Sequence, residues 1–135
     1  MNILMLSATF PYPPTKGGTQ VRTFNLLNQL QRNHAITLVT QREPGVKQEQ
    51  IAALQASVNQ LKVFDAPPAP QQGTIAKLQR LGKSWLTGTP ANVAARANPE
   101  MQAWLDAQVR SHPFDVITCE HSVNEIFVRP EWHDR

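Results

Sequence analysis

The chain has 135 residues, 41% of them apolar and 17% charged, with a formal net charge of +3. That length suits a single globular domain with a real core. The bases Lys16, Arg22, Arg32, Arg42, Lys47, Lys62, Lys77 and Arg80 are scattered, with no aromatic platforms between them, which argues against a nucleic-acid partner. The charge reflects few carboxylates and remains compatible with phosphates or anionic membrane lipids as ligands. The single cysteine, Cys119, excludes an internal disulfide framework and leaves no Cys-based zinc site. The N-terminus lacks a charged n-region, and its apolar run is too short for a signal peptide. No stretch approaches the ~20 apolar residues of a membrane span. The chain therefore reads as cytosolic.

The first predicted strand runs from Asn2 to Ser7, apolar at consecutive positions, as in a parallel strand covered on both faces. A loop with Pro11, Pro13 and Pro14 and the pair Gly17-Gly18 follows. Helix one then runs roughly from Gln20 to Arg32. Its polar residues Arg22, Asn25, Gln29 and Arg32 form one stripe, while Val21, Phe24, Leu26, Leu27 and Leu30 cover a broad arc, predicting a helix buried along most of its girth.

Ala35 to Thr40, β-branched and apolar, predicts strand two. Gln48 to Asn59 carries Ile51, Leu54, Ala56 and Val58 as a weaker amphipathic helix, and Leu61 to Phe64 predicts strand three. The run Ala66-Pro67-Pro68-Ala69-Pro70 excludes regular structure. A further helix is expected from Gly73-Thr74, with Ile75, Leu78, Leu81 and Trp85 at helical spacing. Asn98-Pro99-Glu100 is a helix start with Asn as N-cap and Pro at N1. Met101, Leu105 and Val109, with Trp104, form that helix's core face. Phe114 to Cys119 predicts strand four, leading into Glu120-His121-Ser122, with a short helix over Val123 to Val128.

Alternating strands and helices predict an α/β, Rossmann-like three-layer sandwich with a parallel sheet and right-handed crossovers, in the economical order 3-2-1-4. Ligands of such sheets bind outside the carboxyl ends of the strands at the switch point. Both candidate site segments fall there: the Gly17-Gly18 loop after strand one and Glu120-His121 after strand four. Strand four would be an edge, and an uncovered apolar edge strand invites aggregation.

The glycine pair is neither a dinucleotide fingerprint nor a P-loop, since Lys16 precedes the glycines instead of following them. A plain tight turn is one reading. The other is a ligand-approach loop, in which glycines let an anion near the backbone and the following helix start favours it. Arg22 and Lys16 are each open to two readings, an anion contact or a solvated surface base. Glu120 and His121 together offer proton transfer or sugar-hydroxyl binding at a strand end. Cys119 reads as a small buried hydrophobe, and Trp85 and Trp104 as core. The histidines His34, His112, His121 and His133 are dispersed without a carboxylate cluster, so no metal is expected.

Asn2-Ile3-Leu4-Met5-Leu6-Ser7, Pro11-Tyr12-Pro13-Pro14, Gly17-Gly18, Arg22, Leu26-Leu27, Leu30 and His34 to Thr40 resemble the opening of GT-B-fold glycosyltransferases, especially glycosyltransferase family 4. Gly88-Thr89-Pro90, Phe114-Asp115-Val116-Ile117 and Glu120-His121-Ser122 are similar to later landmarks of the same N-terminal domain. The resemblance implies transfer of a sugar from a nucleotide-sugar donor, with retention, to a glycan or lipid-linked acceptor bound mainly by this domain. It implies no metal or other cofactor. It carries the donor-diphosphate approach onto Gly17 and Gly18, and a contact to the reacting sugar onto Glu120 or His121, with the register between them open. The donor-binding C-terminal domain of such enzymes has no counterpart here, so a truncated, inactive piece of a cytoplasmic enzyme, working at the inner face of the membrane, is expected. Two other classes stand beside it: a non-catalytic Rossmann-like phosphate-binding module, and an inert fragment.

Overall fold

The computed structural model describes residues 1–15, 17–68 and 90–133. The helix expected from Gly73 onward, with Trp85, lies outside the described residues, as do Lys16 and Gly88-Thr89. The elements are β1 (Asn2–Ser7), α1 (Gly18–Leu30), β2 (Ala35–Arg42), α2 (Gln48–Gln55), β3 (Gln60–Asp65), the single turn α3 (Ala91–Ala94), α4 (Pro99–Ser111) and β4 (Val116–Glu120). Two 3₁₀ turns, Ser122–Phe127 and Pro130–Trp132, follow. The four strands are all parallel, in the order β3-β2-β1-β4. This is the predicted α/β, Rossmann-like arrangement.

The consecutive apolar residues of β1 are explained by the two cores they serve. Side chains alternate across a strand, so Ile3 and Met5 pack with Phe10, Leu27, Ile36, Leu38 and Leu54 on one face. Leu4 and Leu6 pack on the other with Val39, Phe64, Met101, Leu105, Val109, Phe114, Phe127 and Trp132. The central strand is thus buried from both sides, with Leu4, Met5 and Leu6 at 0% exposure. Lateral register is level: Ser7 of β1 lies opposite Thr40 of β2 and Glu120 of β4. The three strand ends therefore open onto a common surface.

Helix α4 follows from its sequence in detail. Asn98 is extended and its side chain accepts a hydrogen bond from the Met101 N–H at 3.0 Å, while Pro99 occupies the first turn. Met101, Leu105 and Val109 recur every four residues and are buried. Arg129 fastens the C-terminal segment to this helix by a two-pronged contact with Asp106, at 3.0 and 2.7 Å. These bonds from Arg129 hold the Asp106 carboxyl below the usual carboxylate range, with Gln102 assisting against the opposing effect of partial burial.

Three expectations are corrected. Helix α1 is not buried along most of its girth: only Thr23 and Leu27 are buried, and Val21 is exposed. Leu27 reaches the core, while Leu26 and Leu30 pack against it only partly buried. Helix α2 ends at Gln55, short of Asn59. Asn59 is taken up by Ile36, accepting its N–H at 2.8 Å and donating its own N–H to the Ile36 carbonyl at 3.1 Å, which turns the chain into β3. Strand β4 begins at Val116, not Phe114, because Phe114 turns into the core and the Asp115 N–H bonds Asn2 before the ladder starts.

Candidate functional site

At the carboxyl ends of β1 and β4 lies an open cleft of about 510 Å³. The loop after β1 supplies Ala8 and Thr9, the start of α1 supplies Gly17, Gly18, Thr19 and Gln20, and the chain after β4 supplies His121 and Val123. Glu43, after β2, and Arg96, between α3 and α4, complete the wall. The two segments singled out from sequence thus meet at one cleft, as the strand order requires.

The loop after β1 is held against α1 at several points. Ser7 Oγ donates to the Thr9 carbonyl at 2.7 Å, and the Gln20 amide donates to the Phe10 carbonyl at 3.0 Å. Tyr12 packs on Phe24 with ring centroids 5.6 Å apart. Gly17 is the N-cap residue of α1, with φ 170° and ψ 158°, and no side chain caps the helix start. A φ so near 180° is extended backbone that any residue adopts, so the glycines do not serve a sharp bend. Nor do they relieve crowding: a Cβ at Gly17 or Gly18 meets nothing within 4 Å among the described residues. The missing side chains leave the first-turn N–H groups open to the cleft. The first turn also carries no acidic residue that would occupy them.

Glu120 and His121 take different places. Glu120, the last residue of β4, turns inward: its side chain is 6% exposed and accepts a hydrogen bond from Arg22 of α1 at 3.1 Å. A buried carboxylate needs such a partner, and removing the guanidinium would strand the charge. Arg22 keeps 68% of its side-chain exposure, so the pair joins α1 to the end of β4 from the outside. His121 instead lines the cleft. Its backbone stands at φ 124° and ψ 138°, a region that residues other than glycine avoid at a cost of about 1–3 kcal/mol. The surrounding bonds enforce it: Asn124, 2% exposed, donates its side-chain amide to the Leu6 carbonyl at 3.1 Å, and the Asn124 N–H bonds the His121 carbonyl at 3.1 Å.

Lys16 lies outside the described residues. Cys119 is half-buried beside the site, and burial first, then Glu125 and Glu120, push its thiol up to about 11. That keeps it a thiol at neutral pH and fits its reading as packing. Among the described residues no group of three His, Cys, Asp or Glu side chains converges as a metal site, and no helix is long and apolar enough to cross a membrane.

Sequence reading missed Arg96. Arg96 sits among alanines in a loop without periodicity. Nothing local marks it, and only the tertiary fold brings it beside Ala8, whose carbonyl accepts from its Nη1 at 3.3 Å. Comparison with known protein families, curated proteins and solved structures returns no match to this chain.

Proposed function

We propose that this domain forms the acceptor-side wall of a retaining GT-B-type glycosyltransferase active site. Its cleft would receive the diphosphate end of a nucleotide-sugar. The observation that carries the reading is the convergence of the uncapped α1 start, at Gly17-Gly18, and a conformationally strained His121 on one cleft at the switch point. The sequence resemblance supports it independently.

In this reading an acceptor hydroxyl oxygen bonds to the anomeric carbon as the bond from that carbon to the diphosphate breaks. Negative charge grows on the departing phosphate oxygen, and that oxygen takes up the hydroxyl proton. The free N–H groups of α1, with the helix dipole behind them, face that charge. His121 offers a ring nitrogen to a hydroxyl of the transferred sugar. Glu120 acts at one remove, holding Arg22 and hence the first turns of α1 level with the end of β4. A glycan or lipid-linked acceptor would enter along the rest of the cleft. A second domain would select the donor nucleotide, and acceptors carried on lipid would bring the protein to a membrane surface.

One observation favours a non-catalytic phosphate-binding module instead: Glu120, the carboxylate nearest the strand end, is spent on Arg22 and buried. Both readings share the ligand chemistry. The test is amide-resolved NMR of the chain during titration with UDP and GDP. Saturable shifts centred on Gly17, Gly18 and His121 are expected. Absence of saturable shifts, or shifts centred on the Pro67-Pro68 side of the sheet, would overturn the site.

A further inference from the structure

We propose that Arg96 is the side-chain cation that recognises a diphosphate in this cleft. The inference rests on the site reading above and adds a residue to it. Arg96 lines the cleft that contains Gly17, Gly18 and His121, and also an adjoining hollow of about 380 Å³ bounded by Pro44 and Pro67. It stands where the two spaces meet.

Its placement is built from two strand ends. Gln41 of β2, 2% exposed, donates its side-chain amide to the Arg96 carbonyl at 3.0 Å and fixes the backbone. The Ala8 carbonyl, just past β1, accepts from Nη1 and fixes the head. A guanidinium has five N–H donors in a planar fork, and the Ala8 bond uses one. Arg22, Arg42 and Arg129 each pair with a carboxylate, whereas Arg96 makes no ion pair among the described residues. Glu43 lines the same cleft but is exposed to water and does not pair with it.

A half-buried cation with most of its donors unspent among the described residues, facing a cleft, matches the bidentate geometry of phosphate oxygens. The competing account makes Arg96 a strut between its loop and the loop after β1. A strut explains the bond to Ala8, but that bond takes one N–H of five. A strut does not explain why a charge without a counter-ion among the described residues stands there. The shared ligand chemistry is the diphosphate, whether carried by a nucleoside or by an isoprenoid lipid.

The test is calorimetric titration of the full chain with inorganic pyrophosphate at fixed salt, for wild type, Arg96→Gln, Arg96→Lys and Gly17→Val, with thermal unfolding of each. Arg96→Gln is two bonds shorter than the Nη1 it replaces, so it removes the charge together with the Ala8 bond. It should weaken pyrophosphate binding by about tenfold or more with only a small fall in melting temperature, since the bond lost is long and part-buried. Arg96→Lys, which keeps the charge but not the fork, should fall between, and it carries the test if the glutamine variant fails to fold. Parallel titrations with UDP and farnesyl diphosphate should show the same Arg96 dependence, and the tighter of the two names the source. If Arg96→Gln binds like wild type while melting lower, Arg96 is a strut and the proposal falls. If Gly17→Val loses binding and Arg96→Gln does not, the cleft stands without Arg96. If wild type binds none of the three, the site reading itself fails and takes this inference with it.

Discussion

Helices α1 and α4 are each 13 residues long, and they are finished in opposite ways. Helix α4 has every terminal device: an Asn98 cap, Pro99 and Glu100 in the first turn, and Arg110 in the last. It buries Met101, Leu105 and Val109, and Arg129 fastens its flank. Helix α1 has no side-chain cap, no acid in its first turn and no base in its last, and buries only Thr23 and Leu27. Both pack on the same sheet, so the difference is not one of fold class. The α4 start is satisfied by the protein itself, and the α1 start, where the proposed ligand would bind, has no side-chain cap. Stability has been placed on one side of the molecule and an unsatisfied, charge-seeking helix end on the other.

The contrast can be broken from the α4 side first. Asn98→Ala removes a cap that accepts the Met101 N–H at 3.0 Å, and should cost about 1 kcal/mol by denaturant unfolding. A smaller effect is expected at Asp106. Its carboxyl is held below its ordinary value in the folded protein, chiefly by Arg129. The resulting stabilisation is complete above the unfolded-state pKa of about 3.9. It is lost as the pH falls through the lower folded-state value. Melting temperatures measured from pH 7 down to pH 2 should therefore fall less steeply at the acid end for Asp106→Asn than for wild type. An identical acid limb in the two proteins would show that the Arg129 contact does not stabilise α4.

The same contrast explains what could be read from the chain beforehand. Strand order and the α4 cap were legible because they rest on local chemistry: consecutive apolar runs for two-faced strands, and Asn-Pro-Glu for a helix start. The meeting of the Gly17-Gly18 loop with Glu120-His121 was legible from topology alone, since strands one and four had to be neighbours. The division of labour between Glu120 and His121 was not. It depends on Arg22 reaching across from α1 and on a positive φ at His121, which a histidine in a sequence does not announce. Of the two readings of the glycine pair the tight turn fails, because Gly17 is extended, whereas open approach agrees with the space around both glycines. Arg96 was invisible because its neighbours in the sequence carry no pattern, and Gln41, which positions it, lies on a different strand.

Thermal unfolding of Gly17→Asp, with and without UDP, tests the central claim most directly. Gly17 already has the extended backbone of a cap residue and room for a side chain. A carboxylate there would cap α1 and complement its dipole, a gain of roughly 0.3–1 kcal/mol. It would also fill the place that the proposed anion would take. The account predicts that the variant melts at or above the wild-type temperature and gains nothing from UDP, while wild type is raised by UDP through mass action. A variant that UDP stabilises as much as wild type would contradict it, because the start of α1 would then not be where the ligand binds.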